Sequence, residues 1–318
     1  MPLPLHLHIV QSKEWGEFKH RMDTPPIKTG DIQFTKHRIP MSPFYVGYAP
    51  KVNFDLQKFS WNELKAVAKQ SKCAFIRFDV PNVLNQQNEH DTETKIISNL
   101  NKHCKKSPKN TFTKWNVLLD ISKPEAEIQA NLNQKTRYNS KLAYRKGVEA
   151  KLENNEKGLA VFLRLLYATA KRQGFLPHPN KYYQTVFETL YAKKMANILV
   201  AYYESTPIAA WMLFNYDRTL YYPYGGSSTE HRDLMASNLM AWEAIKLGQR
   251  LNCKLFDMWG ATNDKDSPYW GFTKFKLGYG GELVEYIDSY DFIVNPFVYY
   301  SFNFSYDLFW KIRKLFVR

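Results

Sequence analysis

A mixed α/β fold assembled from two similar units is what the sequence predicts, and three observations carry that expectation. Strand-like apolar runs alternate with amphipathic helical stretches along the chain. A strand, helix, strand order occurs twice, as "YVGYAP", a helix and "CAFIRFD", then as "YYPYGG", a helix and "CKLFDMWG". In both copies a cysteine follows the helix and an aspartate closes the second strand, as in a duplicated unit.

Each element has a local reason. "IQFTKHRIP" and "SPFYVGYAP" read as strands joined by a short turn. In "SWNELKAVAKQSK", Ser60 is followed three residues later by Glu63, a capping box that opens a helix. "CAFIRFDVP" is a buried strand stopped by Pro81, "NVLNQQNEHDTETK" is polar enough for a loop, and "KWNVLLDIS" is a further strand. "KPEAEIQANLNQKTRYNSKLAYRKGV" reads as one helix ending near Gly147. "KGLAVFLRLLYATAKRQGF" is a second, stopping at Gly174, and "YYQTVFETLYAKKM" a third. Three strands follow, "NILVAYYE", "PIAAWMLFNY" and "TLYYPYGG", with turns at Ser205–Pro207 and Asp217–Arg218. Then come a helix, "MASNLMAWEAIKLGQRLN", a buried strand, "KLFDMWG", and a last strand, "GELVEYIDSYDFIV". A strand meander feeding a helix and another strand is the layout of N-acetyltransferase-type acyltransferases. Each unit is therefore expected to be a mixed, mostly antiparallel sheet flanked by helices. The expected boundaries are 1–122, joined by 289–318, for the first unit and 123–288 for the second.

Composition narrows the function classes. Hydrophobic residues make up 44% and aromatics 16%, too much for a disordered chain. No apolar run approaches the ~20 residues that span a bilayer, and "MPLPLHLHIVQ" lacks the basic and apolar regions of a signal peptide. Cys73, Cys104 and Cys253 have neither disulfide nor zinc spacing, so they read as free thiols in a reducing cytoplasm. The formal charge of +14 favours polyanionic partners: nucleic acid, anionic lipid or phosphorylated metabolites. No Walker loop, HExxH or GxSxG occurs, and no histidine has triad or metal-ligand company.

Several segments bear on chemistry. A coenzyme A acyltransferase of this layout needs a glycine-rich turn at a helix start, whose N–H groups cradle pyrophosphate. Here that place reads "RDLMAS", Arg232–Ser237, and Met235 obstructs close backbone approach. No cofactor is expected. Arg137, Lys141 and Arg145, spaced four apart, form one basic stripe on a helix, either a phosphate contact or a solvated face. In "FTKFKLG", taken as a strand, Lys274 and Lys276 share one face. Lys276 is then an exposed edge-strand lysine or a cation that stabilises an oxyanion in acyl transfer, with Gly278 and Gly280 leaving room beside it. Asp257 ends a buried strand, where α/β sites often lie, or caps a loop; Asp79 is its counterpart. The last 22 positions hold nine aromatics and four basic residues. That composition suits peripheral contact with an anionic membrane surface, or packing on a domain with the charges in water.

Taken together, these segments resemble the FemABX family, the aminoacyl-tRNA-dependent transferases that build peptidoglycan cross-bridges. The resemblance is carried in order by "IVQSKEWGEFK", "LLDISKPEAEIQANLNQKTRYNSKLAYRKGVE", "YYPYGGSSTEHRDLMASNLMAWEAIK", "LFDMWG" and "GFTKFKLGYGGELVEYIDSYDFIVNP". It runs from Val10 to Pro296, though the length leaves no room for the helical hairpin some members insert. It implies two N-acetyltransferase-like units and transfer of an amino acid from charged tRNA to a stem-peptide amine. The acceptor would be a UDP- or lipid-linked muramyl peptide, met in the cytoplasm or at the inner membrane face. Phe275 and Lys276 match the family's catalytic F-K pair, with Asp257 a candidate proton acceptor. Lys19 and Arg172 look like its phosphate-contacting cations. Tyr224, and with it Tyr222, Trp15 and Arg137, fall in segments that would meet substrate. Transfer to another amine, on a protein N-terminus, polyamine or exopolysaccharide, and RNA binding without catalysis are the competing readings. Neither the amino acid nor the oligomeric state is legible.

Overall fold

The computed structural model describes residues 6–84 and 90–305. Ser12 opens α1 (Lys13–Arg21), its Oγ accepting the Trp15 N–H at 3.0 Å. The hairpin strands β1 (Ile27–Thr29) and β2 (Ile32–Arg38) lead to β3 (Tyr45–Ala49). Helix α2 (Trp61–Gln70) starts where the capping box predicts, with Ser60 Oγ accepting the Glu63 N–H. Strand β4 (Cys73–Phe78) follows, then α3 (His90–His103) and the short β5 (Lys105–Lys106). The segment expected as a polar loop is therefore helical from His90, while its residues 85–89 lie outside the described ones.

Strand β6 (Trp115–Asp120) precedes α4 (Glu125–Asn131) and α5 (Gln134–Arg145). One helix was expected here. The chain breaks at Leu132 and Asn133, where extended backbone lets Asn133 cap α5 by accepting the Thr136 N–H at 2.7 Å. Next are β7 (Glu149–Leu152), α6 (Glu156–Gln173) and α7 (Asn180–Tyr191). Gly174 ends α6 in the left-handed conformation, as expected. Strands β8 (Ala196–Tyr203), β9 (Thr206–Tyr216) and β10 (Thr219–Ser227) form a meander. Its tight turns have positive φ at Glu204–Ser205 and at Asp217–Arg218. Then come α8 (Ala236–Arg250), β11 (Leu255–Ala261), α9 (Trp270–Leu277), β12 (Glu282–Glu285) and β13 (Tyr290–Ile293). The expected final strand is thus two strands, β12 and β13, in different sheets. A helix from 296 is described through 305.

The chain divides into two compact units. One comprises the described residues through Met22 with Thr113–Glu285, and holds a seven-stranded sheet ordered β12-β6-β11-β10-β9-β8-β7. The other comprises Asp23–Phe112 and the residues from Tyr286, and holds a six-stranded sheet ordered β1-β2-β3-β4-β13-β5. The expected boundaries differ here: the described residues through Met22 and strand β6 belong to the seven-stranded unit. Register explains β6, which pairs with β11 through Leu119↔Phe256 and with β12 through Val117↔Leu283.

Both sheets are antiparallel except at one strand pair each, β3 with β4 and β10 with β11. Alternation along β9 fills two cores. Trp211 and Leu213 face α5 and α8; Met212 and Phe214 face α1, α6 and α7. A bulge in β10 between Tyr221 and Tyr224 resets that alternation.

Candidate active site

The parallel pair β10 and β11 is hydrogen-bonded through three partners only, Thr219↔Leu255, Leu220↔Phe256 and Tyr221↔Asp257. Beyond Tyr221 the strands part. Strand β10 continues alongside β9 to Ser227, while β11 bulges between Asp257 and Gly260 against β6. Parting at the carboxyl ends of parallel strands leaves a crevice where α/β proteins bind ligands.

A cavity of about 320 Å³ is lined by β10 residues Tyr222, Gly225 and Gly226, by Trp211, and by α9 residues Phe272, Phe275 and Lys276. Thr169 and Gln173 of α6 and Ser237, second residue of α8, also line it. Pro268, Gly271, Phe272, Phe275 and Lys276 recur at helical spacing, so one stripe of the α9 region forms a wall. The indole of Trp211 stacks on Tyr222 at 3.7 Å between ring centroids, giving an aromatic floor. The start of α8 contributes the positive end of a helix dipole beside Ser237.

Lys276 is 7% exposed. Its Nζ donates to the carbonyl oxygens of Trp259 at 3.1 Å and Gly260 at 2.5 Å. The β11 bulge offers both carbonyls because Trp259 adopts a left-handed backbone, φ 64°. Such a conformation costs a bulky residue about 1–2 kcal/mol, so neighbours must hold it. Asp257, fully buried, does so by accepting the Trp259 N–H at 2.7 Å, and Asn116 Nδ2 at 3.0 Å, on one carboxylate oxygen. The His8 ring packs 5.2 Å from Trp259 and 4.8 Å from Tyr221. Burial pulls the Lys276 ammonium down to about 8, and the Asp257 charge opposes that shift.

Two expectations about this segment are corrected. "FTKFKLG" is helical, and the helix turns Lys276 inward while Lys274 stays exposed. A strand would have put both lysines on one face. The neighbouring glycines are not room for a ligand. A Cβ on Gly278 would meet Thr136 Oγ1 at 2.3 Å, and one on Gly281 would meet Val117 at 2.7 Å; Gly280 has φ 80°. They pack α9 against α5 and β6. Asp257 also stands inside β11 rather than at its end, away from the cavity lining.

The other candidates fall into separate groups. Tyr222 joins Phe275 and Lys276 at the cavity, whereas the bulge turns Tyr224 to the opposite face. There the Tyr224 hydroxyl lies 3.1 Å from that of Tyr182, whose ring stacks on His178 at 3.9 Å. Trp15 packs into the same core beside Phe18 and Phe214. Lys19 lies over Phe18, and burial lowers its pKa; burial, and after it the Lys19 charge, lower that of His178. Arg172 joins the cavity rim indirectly, donating to the Ser227 carbonyl at 3.1 Å and to Thr169 Oγ1 at 3.3 Å. Arg137 does not line the cavity and donates to the Leu132 carbonyl, while Arg145 lies over Tyr138. Sequence reasoning missed Thr169, Trp211, Ser237 and Phe272. Only their convergence in space marks them. Among the described residues no His, Cys, Asp and Glu cluster fits a metal ion, and no helix is long and apolar enough to cross a membrane.

Comparison with known proteins agrees with this fold. The FemAB family model matches residues 8–205 and 201–307. The chain is 24% identical over 314 residues to the lipid II:glycine glycyltransferase of Staphylococcus haemolyticus (strain JCSC1435), covering 74% of this chain and 73% of that protein. The crystal structure of FemX superposes with a TM-score of 0.79 at 18% identity, covering 92% of this chain and 94% of that one. A tandem GNAT protein from the clavulanic acid pathway superposes with a TM-score of 0.50 at 10% identity, covering 84% and 80%, which supports two acetyltransferase-like units. With its model matching most of the sequence, the chain belongs to the FemAB family.

Proposed function

We propose that this protein is an aminoacyltransferase that moves an amino acid from aminoacyl-tRNA to the stem-peptide amine of a lipid-linked muramyl-peptide precursor. One observation carries the site assignment: a buried ammonium, Lys276, lines the cavity where β10 and β11 part. Family membership and the glycyltransferase relative support aminoacyl transfer. The name of that relative favours the lipid-linked acceptor over a UDP-linked one. The +14 charge suits an RNA donor.

In this reading the acceptor amine attacks the aminoacyl ester carbonyl. The C–N bond forms, negative charge collects on the carbonyl oxygen, and the bond to the ribose oxygen then breaks. The proton lost by the amine ends on that ribose oxygen, so the step balances without a redox partner. Two N–H groups of the Lys276 ammonium are held by Trp259 and Gly260, which leaves a third for the oxyanion. Because the bulge carbonyls fix the ammonium before substrate arrives, little reorganisation accompanies the charge shift. Asp257 acts by positioning: it holds the bulge through the Trp259 N–H and keeps the lysine charged.

The test is single-turnover transfer from charged tRNA to lipid-linked and UDP-linked acceptors in parallel. Product on the lipid-linked acceptor, lost in Lys276→Ala with acceptor affinity retained, is the expected result. Wild-type turnover by Lys276→Ala would overturn the assignment.

A further inference from the structure

The helix described over 296–305 carries large aromatic residues on both sides. Its inner side is accounted for: Tyr299 is buried, packs on Phe75 at 5.0 Å and donates its hydroxyl to Asp291 at 3.1 Å. Phe302 also meets Phe75, and Val298 joins the same cluster with Ile39 and Phe44. The outer side carries Phe297, Tyr300 and Phe304, spaced three and four apart, at 81%, 54% and 72% exposure. Ser301, Asn303 and Ser305 lie between the inner and outer sides, yet large rings on two sides of one helix are ordinarily both covered. These three rings face outward instead.

The surroundings say what covers them. Lys105 lies 5.0 Å from the Tyr300 ring, and its Nζ reaches the Tyr300 hydroxyl at 3.5 Å. Lys106, on the same short strand, is exposed beyond its ion pair with Asp288. Met41, wholly exposed, tips the β2–β3 connection whose Ile39 and Phe44 pack beneath the helix. The sequence beyond the described residues, 306–318, holds Lys311, Arg313, Lys314 and Arg318 against one acid, Asp307. Aromatic rings beside lysines match the interface of an anionic bilayer, where rings sit at headgroup depth and ammonium groups meet lipid phosphates. A protein partner's apolar groove would give the cations nothing to pair with.

We propose that the outer face of this helix, with Lys105 and Lys106, is a docking surface for an anionic membrane. It rests on the function proposed above only in its purpose, which is to bring the enzyme to a lipid-linked acceptor.

The test uses the full chain with two vesicle types, phosphatidylcholine alone and phosphatidylcholine with phosphatidylglycerol, read by co-sedimentation. Binding is expected on the anionic vesicles and to fall with salt. The double variant Phe297→Ser/Phe304→Ser should lose roughly tenfold or more in partitioning. Lys105→Glu/Lys106→Glu should lose at least about fivefold per site. All four side chains are largely exposed, so the variants keep the fold, which circular dichroism checks. Equal binding to both vesicle types, or unchanged binding by the aromatic variant, overturns the proposal. So does a wild-type dimer that the aromatic variant dissociates while vesicles bind neither. A second readout separates this from the catalytic reading: the aromatic variant should match wild type on a water-soluble UDP-linked acceptor and slow only on a vesicle-embedded one. Absence of turnover by wild type on both acceptors sinks the catalytic reading, while vesicle binding still decides this one.

Discussion

The two units contain the same strand–helix–strand module, and they differ at the point where its parallel strands end. In the six-stranded unit the pair stays closed: after a one-residue bulge past Tyr45↔Cys73, β3 and β4 pair continuously from Val46↔Phe75 to Ala49↔Phe78. Two further backbone bonds extend it, from Asp79 N–H to the Ala49 carbonyl and from Val52 N–H to that of Asp79. Tyr48 and Ser289 donate to the Asp79 carboxylate, and the Lys51 ammonium lies 4.2 Å from the Tyr286 ring and 5.2 Å from that of Phe112. In the seven-stranded unit the pair opens after three partners and a lysine enters from α9. Each module has a buried aspartate and a buried lysine near its end. In one, side chains of the same unit fill that end; in the other a cavity takes its place. The lesson is that an unfinished ladder, rather than a particular residue type, separates the candidate site from its counterpart.

The contrast is broken most directly by exchanging which lysine is removed. Lys276→Ala should lower kcat by about 10²–10³-fold, the usual cost of one oxyanion donor, with acceptor KM nearly unchanged. Lys51→Met should leave kcat within about twofold and cost stability by about 1–3 kcal/mol, read from denaturant midpoints. The reverse pattern would put the chemistry in the closed module.

Filling the open end is the next test. A Cβ on Gly271 meets nothing within 4 Å, yet Gly271 lines the cavity. Gly271→Leu should reduce kcat/KM roughly tenfold or more through lost substrate fit while Tm holds. A drop in Tm with unchanged turnover would mean the cavity is not where substrate sits.

Protonation sharpens the comparison further. With Lys276 pulled to about 8, transfer should fall as pH rises through that value, because the role proposed for Lys276 requires its ammonium form. Asp257→Asn removes the charge that opposes the shift, so the alkaline limb should move to lower pH. Stability runs the other way. Between about 8 and 10.5 the unfolded chain holds more protons at this lysine than the folded one, so this group's contribution favours folding more as pH rises through that window. Urea midpoints of wild type and Lys276→Met across it provide the check; parallel curves would contradict the burial argument.

How much of this was legible beforehand follows from local signals. Ser60 with Glu63 announced α2, and Gly174 announced the end of α6, because caps are short-range chemistry. Family resemblance picked out Lys276, but its backbone was misread. In eight residues α9 shows little helical periodicity, and Lys274 and Lys276 flanking Phe275 imitate a strand. The β10 bulge was equally invisible: Tyr222 and Tyr224 look like residues of one face until a shift in pairing separates them. Strand β6 was read correctly as a strand and assigned to the wrong sheet, since its partners β11 and β12 lie far along the chain. Trp15 had a local meaning too. In "SKEW" the Ser12 hydroxyl accepts the Trp15 N–H, so the segment that looked like substrate contact also starts a helix.

The last strand among the described residues, β13, occupies an inner position of the six-stranded sheet, between β4 and β5. During synthesis this sheet begins early and closes late. Arg77 emerges 214 residues before Asp291, its bidentate partner at 2.8 and 2.9 Å. At ribosomal speeds of ~5–20 residues/s that is a wait of roughly 10–40 s with β4 unpaired on one side. An exposed strand edge for that long invites pairing with other nascent chains. Expression yield should therefore depend on chaperone supply more than folded-state stability suggests. A stop codon just before Tyr290 would leave β4 unpaired on one side and β5 without its partner strand.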